Sequence, residues 1–182
     1  MRLLAPLALA LLGCGGGLGA GARDARTVAR RFPALVEELP RARFTVLEFF
    51  SSRCTCQKAH DERLRRLASE LAPRGVQVIA VDSEATAGPA KDEAERARRG
   101  YAWPIVSDPR GEWADAFGAE FGTFVLVLDP TGAVRYRGGI DSDRAHLSDG
   151  ATPWLRDALV ALVEGREPPL GETRALGCLL ER

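Results

Sequence analysis

The chain has 182 residues, with 25 Lys and Arg balancing 25 Asp and Glu, and it carries four cysteines. The balanced charge excludes the basic footprint of a nucleic-acid binder, and the length suits one domain with a core large enough to need no disulfide framework. Every basic residue except Lys58 and Lys91 is arginine, and the run Arg96-Ala-Arg-Arg99 reads as a solvated helix face.

The N-terminus opens with Met1-Arg2, a Leu- and Ala-rich run over Leu3–Leu12, then Gly13-Cys14. A basic start, a short apolar run and a small residue at a cleavage point describe a secretory signal over 1–13. The run is shorter than the roughly 20 residues that a bilayer span needs. Leu11-Leu-Gly-Cys14 resembles the lipobox of bacterial lipoproteins, which implies that Cys14 becomes a lipid-modified first residue; an ordinary secretory signal is the alternative. Gly15, rather than aspartate, after that cysteine implies an outer-membrane anchor facing the periplasm. Residues 14–26 are glycine-rich and read as a flexible, lipid-anchored tether, followed by a domain over 27–182.

Within that domain the apolar spacing predicts a helix over 25–39 with Pro33 near a break, and then a strand at Phe44–Phe50. An amphipathic helix over 55–72 follows, with His60, Leu64, Leu67 and Leu71 on one stripe. A buried strand at 75–81, a polar helix at 88–100, a short strand at 103–106 and a helix at 111–119 come next. Strands at 121–128 and 133–136 flank Asp129-Pro-Thr-Gly132, a hairpin turn, and a last helix covers 153–164. This alternation gives an α/β domain with a central mixed sheet flanked by helices on both faces.

The chemistry gathers where the first strand meets the long helix: Phe49-Phe-Ser-Ser-Arg-Cys54-Thr-Cys56-Gln-Lys-Ala-His60. A helix N-terminus presents unpaired amides and about half a positive charge, which favours thiolate over thiol, and Arg53 and Lys58 add positive charge nearby. The competing reading makes these cysteines inert core residues. Lipidation of Cys14 would leave Cys54, Cys56 and Cys178, an odd number that suits an exchanging set of thiols better than a structural framework. Cys54, before the first full turn, is the expected nucleophile, exposed and low in pKa, with Cys56 on the core side of the helix and less accessible. Helical geometry turns Cys54 and Cys56 about 200° apart, so a bridge between them needs an unwound first turn. Cys178, on a tail after Pro168-Pro169, is the alternative resolver, or else an apolar anchor for that tail.

The order of elements, with cysteines opening the first long helix, resembles the thioredoxin superfamily. It is most similar to the redoxin branch, which includes peroxiredoxins and membrane-anchored thiol–disulfide proteins. Phe49–Cys56, Ala59-His60, Arg74–Ser83, Trp103–Asp108, Val127–Gly132 and the tract from Tyr136–Asp141 to Glu172–Cys178 carry the likeness. It implies a thioredoxin-like fold and thiol chemistry. It also implies that Thr123 stands where thioredoxins keep a cis-proline, and that Glu48 holds the place of a buried carboxylate that assists proton transfer, unless it faces outward. Only Thr55 separates the two cysteines. Ser51 stands where peroxiredoxins have a threonine, and Leu47 stands where they require a proline.

These observations point to a thiol–disulfide oxidoreductase of the cell envelope, acting on protein thiols and disulfides with an upstream thiol reductant and no cofactor. A thiol peroxidase acting on small hydroperoxides is the first alternative. A copper- or zinc-binding protein using Cys54, Cys56 and His60 is the second, although no metal is assigned to the oxidoreductase. His60 is otherwise either a core imidazole bonded to backbone or a proton acceptor for Cys56. His146 reads as surface, Asp82 as a site neighbour or a turn cap, Trp103 as core or substrate contact, and Arg110 as a possible neighbour of the thiolate.

Overall fold

The computed structural model describes residues 32–144 and 148–182; the leader, Cys14, the tether, residues 27–31 and His146 lie outside the described residues. The elements are α1 (Pro33–Glu38), β1 (Phe44–Phe50), α2 (Thr55–Leu71), β2 (Val76–Asp82), α3 (Pro89–Arg99), β3 (Ile105–Ser107), α4 (Glu112–Phe117), β4 (Val125–Leu128), β5 (Val134–Gly138) and α5 (Trp154–Val163). Pro33 occupies the first turn of α1, where its missing N–H costs nothing; the part of the expected helix before it, residues 25–31, lies outside the described residues. None of the described helices is long and apolar enough to cross a membrane.

The five strands form one mixed sheet in the order β3-β2-β1-β4-β5. β1 pairs parallel with β2 and antiparallel with β4, so the strand leading into the cysteines is central. Both faces of β1 are covered, which is why it reads as an almost unbroken apolar run. Val46 and Phe50 point to one face, where Leu64, Leu67 and Leu71 of α2 meet Leu155, Leu159 and Leu162 of α5. Leu47 and Phe49 point to the other, against Phe32, Leu35, Trp113 and Phe117.

The strand expected from Phe121 begins at Val125 instead. Thr123 has φ 72°, which breaks the extended backbone, and Phe121 forms an isolated antiparallel bridge with Leu179. Such a φ is an outlier for a β-branched residue. It is held by the Thr123 amide donating to the Phe49 carbonyl at 2.8 Å. The C-terminal tail therefore returns to the end of β1, and its Leu180 enters the second core.

Candidate active site

Cys54 is the N-cap of α2, with extended backbone at φ −74° and ψ 120°, so β1 aims it over the first helical turn. Its sulfur lies 2.7 Å from that of Cys178 and accepts the Cys178 amide at 3.3 Å. Cys56 lies in the first turn of the same helix. Cys54 is buried rather than exposed, with 2% of its surface accessible against 3% for Cys56, because the C-terminal tail packs over it, and Cys178 is half-buried.

Electrostatics separates the three thiols. Burial opposes ionisation of Cys54, but the Cys178 thiol and the amides of Gln57, Cys178 and Cys56 outweigh it and hold Cys54 below the ordinary thiol value. Burial raises Cys56, and the negative charge of Cys54 raises it further. Burial, the hydrogen bond to Cys54 and the charge of Cys54 push Cys178 up to about 11. The arrangement makes Cys54 the more readily ionised of the two facing thiols.

The tail that carries Cys178 is held by main-chain bonds. The Gly122 amide donates to the Cys178 carbonyl and the Leu180 amide to the Glu120 carbonyl, each at 2.9 Å, and the Ala85 amide donates to the Glu181 carbonyl at 2.8 Å. Gly177 lets the tail approach, because a Cβ there would overlap the Gly122 carbonyl oxygen. Upstream, the Thr173 hydroxyl meets the Tyr136 hydroxyl at 2.7 Å. The Gly122-Thr123 loop lies beside Cys54: a Cβ on Gly122 would sit 3.8 Å from Cys54 Cβ.

Beneath the helix start, Glu48 is fully buried on the Val46 and Phe50 face of β1, which rules out the outward-facing reading. Gln57 donates to it at 2.5 Å and to the Tyr101 hydroxyl at 3.2 Å; Tyr101 in turn donates to Asp61, which pairs with Arg99. Burial pushes Glu48 up to about 8 against the pull of the Gln57 bond. The carboxyl is neutral at pH 7.

Other expected residues take different roles. The ring nitrogens of His60 face the Cys56 carbonyl at 2.7 Å and the Asp141 carboxylate at 3.0 Å. Both partners are acceptors, so both ring nitrogens are engaged and the protonated ring is favoured. It therefore neither accepts the Cys56 proton nor offers a metal a lone pair. Burial would lower its pKa, but the Asp141 and Cys56 bonds outweigh it and raise it.

Arg53 is exposed and forms an ion pair with Glu181, clamping the tail rather than the thiolate. Ser51 donates to Glu84 at 2.6 Å, not to a sulfur. Asp82 pairs with Lys91 at 2.9 Å and accepts the Glu84 amide. Trp103 stacks on Tyr101 within the core, and the exposed Arg110 pairs with Glu112. Sequence reasoning missed Gln57, Tyr101, Asp61, Asp141 and Gly177. A glycine directly before a tail cysteine was the one visible signal.

The AhpC/TSA family matches residues 34–137. An uncharacterized conserved protein from Geobacillus kaustophilus is 28% identical, with 80% of each chain covered and a TM-score of 0.72. A hypothetical protein from Sinorhizobium meliloti is 25% identical over 80% of this chain and 82% of its own, with a TM-score of 0.70. A thioredoxin-like protein in its oxidised form is 22% identical over 72% of this chain and 85% of its own; its TM-score of 0.56 bears on the fold alone. No curated protein matches. The chain belongs to the AhpC/TSA family and is an oxidoreductase with a thioredoxin-like fold.

Proposed function

We propose that this protein is a thiol–disulfide oxidoreductase of the cell envelope, tethered to the membrane through Cys14, with Cys54 as nucleophile and Cys178 as resolving thiol. The observation that carries this reading is the 2.7 Å approach of the two sulfurs, with Cys54 shifted down and Cys178 up. The Cys54 thiolate attacks one sulfur of a protein disulfide; that S–S bond breaks, and the other substrate sulfur leaves with the proton of Cys178. The Cys178 thiolate then attacks the Cys54 sulfur, releasing the second substrate thiolate and leaving a Cys54–Cys178 disulfide. Two electrons pass to the substrate, and an upstream dithiol returns them. Cys56, held by a regular first turn, is the less favourable resolver.

Glu48 supports the exchange as a buried acid beneath the helix start. Thr123 shapes the loop beside Cys54, while Ser51, Arg53 and His60 position the segments that carry the thiols. The test is reduction of insulin disulfides with dithiothreitol: Cys54→Ser abolishes it, and retained activity overturns the assignment. One observation favours peroxide as a second substrate class. Cys54 is only 2% exposed beneath the tail, which admits a small oxidant more readily than a protein. Peroxide consumption measured beside insulin reduction separates the two readings.

A further inference from the structure

Three sulfurs converge beneath the tail. The Sγ atoms of Cys54, Cys56 and Cys178 all lie within 4.8 Å of one another, and among the described residues no carboxylate or imidazole joins them. A metal–thiolate bond of about 2.3 Å sets the corners of a trigonal site about 4 Å apart. The observed triangle reaches that size by small movements, the Cys54–Cys178 edge opening from 2.7 Å.

The three ligands sit on two supports. Cys54 and Cys56 are fixed by the N-cap and first turn of a 17-residue helix. Cys178 is fixed by the antiparallel pairing of the tail with residues 120–122. His60, the imidazole nearest in sequence, is turned away by its bonds to the Cys56 carbonyl and Asp141.

The donor set selects the ion. Three soft sulfurs without an oxygen or nitrogen ligand suit a monovalent soft cation content with three ligands. Zinc in structural sites takes four, and calcium and magnesium take oxygen. We propose that the reduced protein binds one Cu(I) ion through Cys54, Cys56 and Cys178. Any proton still carried by one of the three thiols passes to solvent as its Cu–S bond forms, and the copper remains Cu(I). Oxidation of Cys54 and Cys178 to a disulfide removes two ligands, so copper binding belongs to the reduced form alone.

The test uses the full chain, reduced and handled without oxygen, titrated with Cu(I) in competition with the chromophoric chelator bicinchoninate. The expected result is one copper per chain, withdrawn from the chelator, with X-ray absorption showing a shell of three sulfurs. Cys178→Ser, checked for folding by circular dichroism, should weaken binding more than tenfold, and protein oxidised with diamide should bind none. No copper withdrawn, a nitrogen in the first shell, or unchanged affinity in Cys178→Ser overturns the site, as does zinc retained as tightly as copper. Insulin reduction by the same metal-free preparation is scored separately. A protein active there that fails the copper titration loses this inference alone, whereas one that binds copper but reduces no insulin loses the redox reading alone.

Discussion

Cys54 and Cys178, 124 positions apart in the chain, bring their sulfurs to 2.7 Å at the mouth of the long helix. Cys178 faces Cys54 with both its thiol and its amide, the placement the proposed exchange requires of a residue that first stabilises the Cys54 sulfur and then bonds to it. Losing the resolving thiol leaves the mixed disulfide with no internal escape. In Cys178→Ser, turnover with insulin should fall by about tenfold or more, a barrier increase of about 1.4 kcal/mol. The substrate adduct on Cys54 should accumulate on non-reducing gels. Cys56→Ser should trap less adduct; the reverse order would make Cys56 the resolver.

Gly177 controls access. Gly177→Ala places a methyl group into the Gly122 carbonyl, so the tail must lift from residues 120–122. Such overpacking costs about 1–3 kcal/mol. Alkylation of Cys54 by iodoacetamide should then be faster than in the unaltered protein. An unchanged rate would mean that the tail does not limit access to the thiol.

Glu48 makes stability fall with pH. Its folded value is pushed up to about 8 from an ordinary 4.5, so the folded state holds a proton that the unfolded chain has already lost in this window. The contribution is complete below about pH 4.5 and is lost as pH rises through 8, a loss of roughly 3–5 kcal/mol. Urea unfolding from pH 5 to 9 should show this decline, and Glu48→Gln should flatten it. Equal slopes in both proteins would remove Glu48 as the source.

His60 and Asp141 tie the second turn of α2 to the segment after β5. Arg63 joins from the next turn of the helix and bonds the other oxygen of Asp141 at 2.5 Å. Because the folded-state pKa of His60 is raised, its contribution is present below the ordinary histidine value and lost as pH rises through the raised one. Asp141→Asn should cost about 3 kcal/mol, as breaking a buried pair does. It should also lower the His60 titration midpoint followed by NMR. A midpoint that stays in place would show that Asp141 does not hold the charge.

The sequence by itself determined the order of elements, the central apolar strand and the placing of Cys54 at a helix start. Those features depend on local periodicity and on residues a few positions apart. Residues 121–123 already departed from that logic: a strand pattern was present, but the left-handed Thr123 and the pairing of Phe121 with Leu179 depend on the tail. His60 was legible as a stripe residue of α2, not as a ring whose protonated form is favoured, because that preference comes from Asp141, far along the chain. Tertiary structure alone decided that Glu48 is a buried acid under Gln57, and that Arg53 reaches Glu181 instead of a sulfur. It alone brought the third thiol to the first two. That meeting requires the close approach Gly177 allows and backbone pairing of the tail with residues 120–122, more than fifty positions earlier, which no local spacing encodes.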